Sequence, residues 1–148
     1  MNNGPILLIE DNPDDVALTM RALRRNNISN EVVVAGDGEE ALEVLMPADR
    51  PGLRPALILL DVNLPKLSGL DVLARIRAEP RTSMLPVVVL TTSDEERDIM
   101  RSYNLHANSY VRKPVVFGDF VEAARVLGLY WLLINQPPPI VPVAGNPA

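Results

Sequence analysis

The stretch "LILLDVN" (57–63) places a run of large apolar residues directly before an aspartate, Asp61. An apolar run with no polar residue alternating in it is typical of a strand that is covered on both faces of a parallel sheet. The longer run "PALILL" therefore predicts a central strand at 55–60, and Asp61 then lies where that buried strand ends. The question is what makes a carboxylate tolerable at this position.

Apolar runs of similar length alternate with stretches of helical periodicity along most of the chain. We predict further strands at 5–10, 31–35, 85–90 and 109–111, and helices near 13–26, 39–46, 67–78, 95–105 and 118–133. This alternation predicts an α/β fold, a doubly wound five-stranded parallel sheet with five helices in the flavodoxin-like strand order 2-1-3-4-5.

Composition and charge exclude several classes of function. The chain has 148 residues, which predicts one domain, and its net charge of −5 argues against nucleic acid or an anionic membrane as the main partner. There is no cysteine and only one histidine, His106, so thiol catalysis and zinc-thiolate sites are excluded. Neither a signal peptide nor a membrane-spanning stretch is visible, and we expect a cytoplasmic protein.

Charged and hydroxyl side chains follow the predicted strands at the point where each strand ends. The first strand ends in Glu10 and Asp11, the third in Asp61 and the fourth in Thr91, and Lys113 follows the fifth. Because ligands bind at the carboxyl ends of parallel strands, where the strand order reverses, we expect Asp11 and Asp61 to meet in a crevice between strands one and three. Neighbouring carboxylates repel one another unless a cation lies among them, and Mg²⁺ prefers such oxygen ligands.

Carboxylates, Mg²⁺, one lysine and one hydroxyl together suit the binding of a phosphoryl group. The metal and Lys113 would neutralise the phosphoryl oxygens, while Thr91 would donate a hydrogen bond. An aspartate can also be the nucleophile and form an aspartyl phosphate, and Asp61 is the candidate.

Two other interpretations of these residues are weaker. The stretch "VVVAGDGEEA" (32–41) imitates a dinucleotide-binding fingerprint, but it follows the second strand and leaves Glu10, Thr91 and Lys113 without a role. Gly36, Asp37 and Gly38 are better explained as a tight turn with a helix start. A phosphatase of the Asp-x-Asp type is unsupported because Asn63 replaces the second acid.

The motifs "IEDN" (9–12), "LLDVNLPKLSG" (59–69), "VLTTS" (89–93) and "SYVRKP" (109–114) together resemble the receiver domain of two-component response regulators. The resemblance covers roughly residues 5–128. The segments "NPDD", "ANSYVRKP" and "LGLYWLLINQPPP" further resemble the single-domain regulators that pair with phytochrome-type histidine kinases. The resemblance implies a receiver domain over 4–134 with an extended last helix, and the Pro-rich composition of residues 135–148 predicts an extended tail.

The resemblance also implies a role for each matching residue. Asp61 would be the phosphoacceptor, Lys113 would pair with the phosphoryl group, and Thr91 and Tyr110 would form a switch, although Tyr110 can also be explained as a structural aromatic. The implied Mg²⁺ ligands are Glu10, which acts mostly through water, Asp11, Asp61 and the backbone carbonyl of Asn63. Asn63 and Thr92 lie at positions that tune dephosphorylation, and Thr92 can equally be a helix cap. Leu64 and Ser68 stand where Met and Asp are frequent.

The C-terminal run "LYWLLI" (129–134) is too apolar for all its side chains to face one core from a helix end. It either docks onto the protein's own core or forms a homodimer contact through the last helix and the arm beyond it. We favour the homodimer, partly because of the resemblance. The predicted contact residues are Leu129, Tyr130, Trp131, Leu132 and Leu133.

The sequence thus predicts a stand-alone response regulator of a two-component phosphorelay. It would be phosphorylated on Asp61 by a histidine kinase, which the resemblance implies is of phytochrome type, and it would signal through protein contacts rather than by catalysis of its own. The alternatives are a phosphorylation-independent interaction module and a phosphate sink. Direct DNA binding is not expected, because nothing beyond residue 134 could fold into a DNA-binding unit.

Overall fold

The computed structural model describes residues 4–91, 101, 103–107, 109–112 and 125, with the backbone alone at 90–91 and 109–112. Strands and helices alternate as the apolar pattern predicts, and most bounds lie within two residues of the predicted ones. The elements are β1 (Ile6–Ile9), α1 (Pro13–Arg25), β2 (Val32–Ala35), α2 (Gly38–Leu45), β3 (Leu57–Leu60), α3 (Gly69–Ala78), β4 (Val87–Thr91) and β5 (Ser109–Arg112).

The strands form one parallel sheet in the order β2-β1-β3-β4-β5. The α/β class and the predicted order of the first four strands are confirmed. β5 is the neighbour of β4 at the edge, where Val89 pairs with Tyr110. The helices predicted near 95–105 and 118–133 lie mostly outside the described residues.

Both faces of the sheet are covered, which explains why β1 and β3 are apolar throughout. On one face, Ile58 and Leu60 belong to a core with α2 and α3, whereas on the other Leu57 and Leu59 pack with Leu23 of α1. Successive strand residues point to opposite faces, so an uninterrupted apolar run can fill two cores at once. Burial of this kind fixes the position of β3, and with it the position of the residue that follows.

The three fully described helices each begin with a side-chain cap beyond the carboxyl end of a strand. Asn12 Oδ1 accepts hydrogen bonds from the backbone N–H groups of Asp14 and Asp15, and Pro13 occupies the first helical position. Asp37 caps α2 and Ser68 caps α3. These caps fix the points at which the loops after β1, β2 and β3 end and the helices begin.

At the amino ends of the strands, arginine side chains connect neighbouring loops. Arg54 donates a hydrogen bond to the carbonyl of Arg81, and Arg81 donates one to the carbonyl of Pro47. The two loops before β3 and β4 are therefore linked side by side. Among the described residues, no helix combines the length and apolar character that crossing a membrane requires.

Candidate functional site

β1 and β3 place two acidic residues at the same level of the sheet. Ile9 pairs with Leu60, and the ladder continues one step further, because the Asp61 N–H donates a hydrogen bond to the Ile9 carbonyl at 3.1 Å. On the other side of β1, the Glu10 N–H donates to the Ala35 carbonyl at 3.0 Å. The backbone N–H groups of Glu10 and Asp61 therefore extend the hydrogen bonding of the sheet one residue beyond β1 and β3.

Glu10, Asp11 and Asp61 form a compact acidic cluster at this edge. Each offers a carboxylate oxygen, and these oxygens all lie within 4.8 Å of one another. Glu10 and Asp61 are only 3% and 8% exposed, whereas Asp11 is exposed. At such separations two negative charges repel by roughly 3 kcal/mol at an effective dielectric constant of about 20. The cluster therefore opposes folding when all three groups are charged and nothing positive lies among them.

Two backbone N–H groups relieve part of this repulsion. The Asn63 N–H donates to Asp61 Oδ1 at 3.1 Å, and the Asn12 N–H donates to Glu10 Oε2 at 3.4 Å. A divalent cation would relieve more, and a donor set made only of oxygen atoms suits Mg²⁺ or Mn²⁺ rather than a softer metal. The cluster Glu10, Asp11 and Asp61 is thus consistent with a divalent cation such as Mg²⁺.

A closed loop connects Asp61 to α3. The Gly69 N–H donates to the Val62 carbonyl at 2.9 Å, so the two ends of the loop 61–69 touch. A Cβ atom at Gly69 would lie 1.9 Å from the Asp61 carbonyl oxygen, which no side chain tolerates. Only glycine lets the start of α3 approach the backbone of Asp61 this closely. We call residues 61–69 the Asp61 loop.

The tip of the Asp61 loop contacts the start of α2. Lys66, in the left-handed conformation at φ 66°, lies with Nζ 3.4 Å from Asp37 Oδ2 and 3.8 Å from Glu39 Oε2. The backbone N–H of Glu40 and the Lys66 ammonium hold the pKa of Asp37 below its ordinary value. Asp37 is therefore a helix cap and an ion-pair partner, as expected for a turn with a helix start rather than a dinucleotide site.

The remaining predicted site residues are only partly described. Thr91 ends β4 and Tyr110 lies in β5 on the neighbouring strand, but their side chains are not described. Lys113, Thr92 and the predicted dimer contact at 129–133 lie outside the described residues. The structure thus brings Glu10, Asp11 and Asp61 together, with Asn63 hydrogen-bonded beside them.

Sequence reasoning missed a set of interactions next to the Asp61 loop. Ser68 Oγ donates to Asp71 Oδ2 at 3.0 Å and accepts from the Asp71 N–H at 3.3 Å. Asp71 Oδ1 in turn lies 2.8 Å from Arg101 Nη2. The pattern Ser-x-x-Asp at 68–71 is a capping-box signature that could have indicated the first part. No sequence pattern indicates the contact with Arg101, which comes from 30 residues away.

Comparison with known proteins agrees with this geometry. Residues 6–125 match the response regulator receiver domain. The probable methanogenesis regulatory protein FilR2 of Methanothrix harundinacea is 40% identical over 134 residues, which are 90% of this chain and 86% of that protein. The response regulator Rcp1 of Synechocystis sp. is 40% identical over 129 residues, which are 86% of this chain and 88% of Rcp1.

Solved structures of phytochrome-associated regulators are also similar. The phosphorylated cyanobacterial phytochrome response regulator RcpA has a TM-score of 0.84 at 39% identity, covering 93% of this chain and 99% of RcpA. The Mn²⁺-bound form of Rcp1 has a TM-score of 0.84 at 38% identity, covering 92% of this chain and 99% of Rcp1. The chain therefore belongs to the response regulator receiver domain family, as a phosphoacceptor signalling protein homologous to phytochrome response regulators.

Proposed function

We propose that this receiver-domain protein accepts a phosphoryl group on Asp61 from a phosphohistidine of a partner histidine kinase. The observation that carries the proposal is the position of Asp61, which is 8% exposed at the end of the central strand β3 and clustered with Glu10 and Asp11. An Asp61 carboxylate oxygen forms a bond to phosphorus, the phosphorus–nitrogen bond breaks, and its electron pair returns to the imidazole of the kinase.

The other residues of the site support this transfer. Glu10, mostly through water, Asp11, Asp61 and the Asn63 backbone carbonyl would hold Mg²⁺, which when bound neutralises negative charge on the phosphoryl oxygens. Lys113 would pair with a phosphoryl oxygen, and Thr91 would donate a hydrogen bond to another. The added charge would draw Thr91 inward, with Tyr110 following as the second half of the switch. Asn63 and Thr92 would set the lifetime of the phosphorylated form.

The proposal is tested by the intact mass of the protein after incubation with Mg²⁺ and acetyl phosphate. We expect one phosphoryl adduct on the wild type and none on Asp61→Asn. Asp14→Asn is the matched control, because Asp14 is an exposed carboxylate in the first turn of α1, close in sequence but outside the cluster. This variant should form the adduct normally.

The outcome also separates the alternatives. An adduct retained by Asp61→Asn would move the acceptor to another residue. No adduct on the wild type, with either acetyl phosphate or a partner kinase, would favour a phosphorylation-independent interaction module. A phosphate sink would accept the phosphoryl group and lose it quickly without binding a downstream protein.

We further propose that the partner kinase is of phytochrome type. Support comes from the similarity to RcpA, which is described as a phytochrome response regulator. FilR2, which is equally similar in sequence, is a probable methanogenesis regulatory protein, so the kinase has to be tested directly. The test is phosphotransfer to this chain from phosphorylated kinases of the same organism, with transfer to Asp61→Asn as the control. Preference for a kinase without a phytochrome module would contradict this part.

We also propose that residues 4–134 form a receiver domain with five helices, the last of them extended, and that residues 135–148 form a Pro-rich extended tail, in the cytoplasm. Leu129, Tyr130, Trp131, Leu132 and Leu133 would form a homodimer contact through the last helix and arm. Light scattering at micromolar concentration tests the dimer, with Trp131→Ala expected to weaken it. A wild-type monomer with and without phosphorylation would contradict it.

A further inference from the structure

Two arginine contacts tie α3 to the segment that precedes β5. We call residue 101 together with residues 103–107 the Arg101 segment. It is a helical turn, in which the Leu105 N–H donates to the Arg101 carbonyl at 3.0 Å, and it ends at His106 in the left-handed conformation at φ 61°. Leu105 and Ala107 pack against the core that α2 and α3 cover. The segment leads directly into β5.

The first contact is made by Arg77, near the end of α3. Its guanidinium donates to the carbonyl of His106 at 3.0 Å through Nε, and to the carbonyls of Ser83 and Leu85 at 2.9 and 2.7 Å through Nη1. Burial lowers the pKa of Arg77, but arginine remains charged at any physiological pH. One planar group thus fixes the end of the Arg101 segment to the loop before β4.

The second contact is an exposed ion pair between Asp71 and Arg101. Arg101 Nη2 lies 2.8 Å from Asp71 Oδ1, and the two side chains are 50% and 47% exposed. The Arg101 guanidinium, followed by the Ser68 hydroxyl, holds the pKa of Asp71 below its ordinary value. An exposed pair of this kind contributes little to stability and opens readily, in contrast to the Arg77 contacts.

The ion pair between Asp71 and Arg101 is connected to Asp61 through the backbone. Asp71 is hydrogen-bonded to Ser68 in both directions, since Ser68 Oγ donates to its carboxylate and accepts from its N–H. Ser68 immediately precedes Gly69, whose Cα lies against the Asp61 carbonyl. A displacement of the Asp61 carbonyl is therefore transmitted by close contact to Gly69 and to the adjoining Ser68.

We propose that Ser68, Asp71 and Arg101 form a releasable link between the Asp61 loop and the Arg101 segment, which pivots on Arg77 when the link opens. The coupling rests on the phosphorylation of Asp61 proposed above. A phosphoryl group adds about two negative charges at Asp61. The Asp61 loop rearranges around it, Ser68 shifts relative to Asp71, and Asp71 releases Arg101. The freed segment then carries the change to β5, where Tyr110 lies.

The link is tested first in the unphosphorylated protein, by amide hydrogen exchange read by mass spectrometry in peptides that cover 101–107. Asp71→Asn and Arg101→Gln should each speed exchange there about two- to fivefold, as expected for the loss of one exposed ion pair. Because both variants break the same link, the double variant should exchange no faster than either single one. Arg77→Lys should loosen 101–107 and 83–85 together.

The matched control is Glu43→Gln, which changes the net charge as Asp71→Asn does. Glu43 forms an exposed pair with Arg50, with 3.7 Å between Arg50 Nη2 and Glu43 Oε1, at the far end of α2. Exchange at 101–107 should be unchanged in this variant. Unchanged exchange at 101–107 in Asp71→Asn and Arg101→Gln, or effects that simply add in the double variant, overturns the link.

The coupling is tested with the protein carrying a confirmed adduct on Asp61. Phosphorylation should speed exchange at 101–107 in the wild type, and Asp71→Asn should show the faster rate before phosphorylation with no further change after it. An equal response in both proteins, or no response in the wild type, overturns the coupling. If no adduct forms with any donor, the proposed function fails and the coupling with it, while the unphosphorylated comparison still decides whether the link exists.

Discussion

Charged side chains have opposite roles at the two ends of the parallel strands. We call these ends the carboxyl edge and the amino edge of the sheet. At the carboxyl edge, carboxylate oxygens of Glu10, Asp11 and Asp61 lie within 4.8 Å of one another. At the amino edge, the guanidinium groups of Arg77 and Arg81 donate to backbone carbonyl oxygens. The carboxylates of the first arrangement repel one another unless a cation lies among them, whereas the hydrogen bonds of the second stabilise the fold. Unfavourably placed charges mark a functional site, because stability alone would not maintain them.

The largest effect is expected where the acidic cluster is joined to the fold, at Gly69. Gly69→Ala places a Cβ atom 1.9 Å from the Asp61 carbonyl oxygen and 2.8 Å from the Val62 Cα. Both contacts are backbone atoms just beyond the end of β3, so neither can move out of the way as a flexible side chain would. We expect the free energy of unfolding to fall by about 3 kcal/mol or more, measured by urea denaturation.

Gly36→Ala is the matched control at the same edge. A Cβ atom there would meet only Glu40 Oε2, at an ordinary 3.5 Å. We expect a change within about 0.5 kcal/mol, or a slight stabilisation from the reduced freedom of the unfolded chain. Equal destabilisation by the two variants would show that the close approach at Gly69 does not position Asp61.

The next effect tests the amino edge. Arg77→Ala removes the donor that satisfies the carbonyls of Ser83, Leu85 and His106. Partly buried carbonyl groups that lose a charged donor destabilise a protein by about 2–3 kcal/mol. Arg75→Ala, two residues earlier on the exposed side of α3, should stay within about 0.5 kcal/mol. Comparable losses in both variants would contradict a stabilising role for the amino edge.

The carboxyl edge was more predictable from sequence than the amino edge. A buried parallel strand must be apolar on both faces, so the first charged residue after it, Asp61, marks its end. Because all strands are parallel, those ends share one edge, and the meeting of Glu10, Asp11 and Asp61 follows from strand order alone. The residues of the connecting loops are not needed to predict this cluster.

The contacts that sequence reasoning missed depend on loop geometry. Arg54, Arg77 and Arg81 look like ordinary surface arginines, and nothing in a sequence tells which backbone carbonyl an arginine will reach. The bond from Arg77 Nε to the His106 carbonyl spans 29 residues. Gly69 lies within a recognisable motif, but the reason for a glycine there is a close approach that exists only in the folded chain.

Asp61→Asn should have a smaller effect on the free energy of unfolding, and the sign of that effect should reverse when a divalent cation is present. Without divalent metal, Asp61→Asn should raise the free energy of unfolding by about 1 kcal/mol, because it removes one of three mutually repelling charges. In Mg²⁺ at about 100 times its dissociation constant, the wild type should gain about 2.7 kcal/mol and the variant much less. Thermal denaturation in EDTA and in Mg²⁺ measures the crossover.

Asp14→Asn is again the control, since Asp14 lies outside the cluster. It should keep the full Mg²⁺ response of the wild type and show no gain in stability in EDTA. A wild type that is insensitive to Mg²⁺, or an Asp61→Asn variant that responds to it fully, would mean that the acidic cluster is not the cation site.

The smallest effect concerns Asp71, which lies near the carboxyl edge but is paired with Arg101 in the manner of the amino edge. Its pKa is lowered in the folded protein from the ordinary 3.8, by Arg101 first and Ser68 second. The folded state therefore binds fewer protons than the unfolded one at acid pH, so the contribution of Asp71 is complete above the unfolded pKa and is lost as pH falls through the folded pKa.

Asp71→Asn should lower the free energy of unfolding by less than about 1 kcal/mol at pH 7, as for other exposed pairs. The difference from the wild type, measured by urea denaturation, should disappear in strong acid and shrink in about 1 M salt. A difference that persists in strong acid would assign the stabilisation to the hydrogen bond between Ser68 Oγ and the Asp71 side chain rather than to the charge of Asp71.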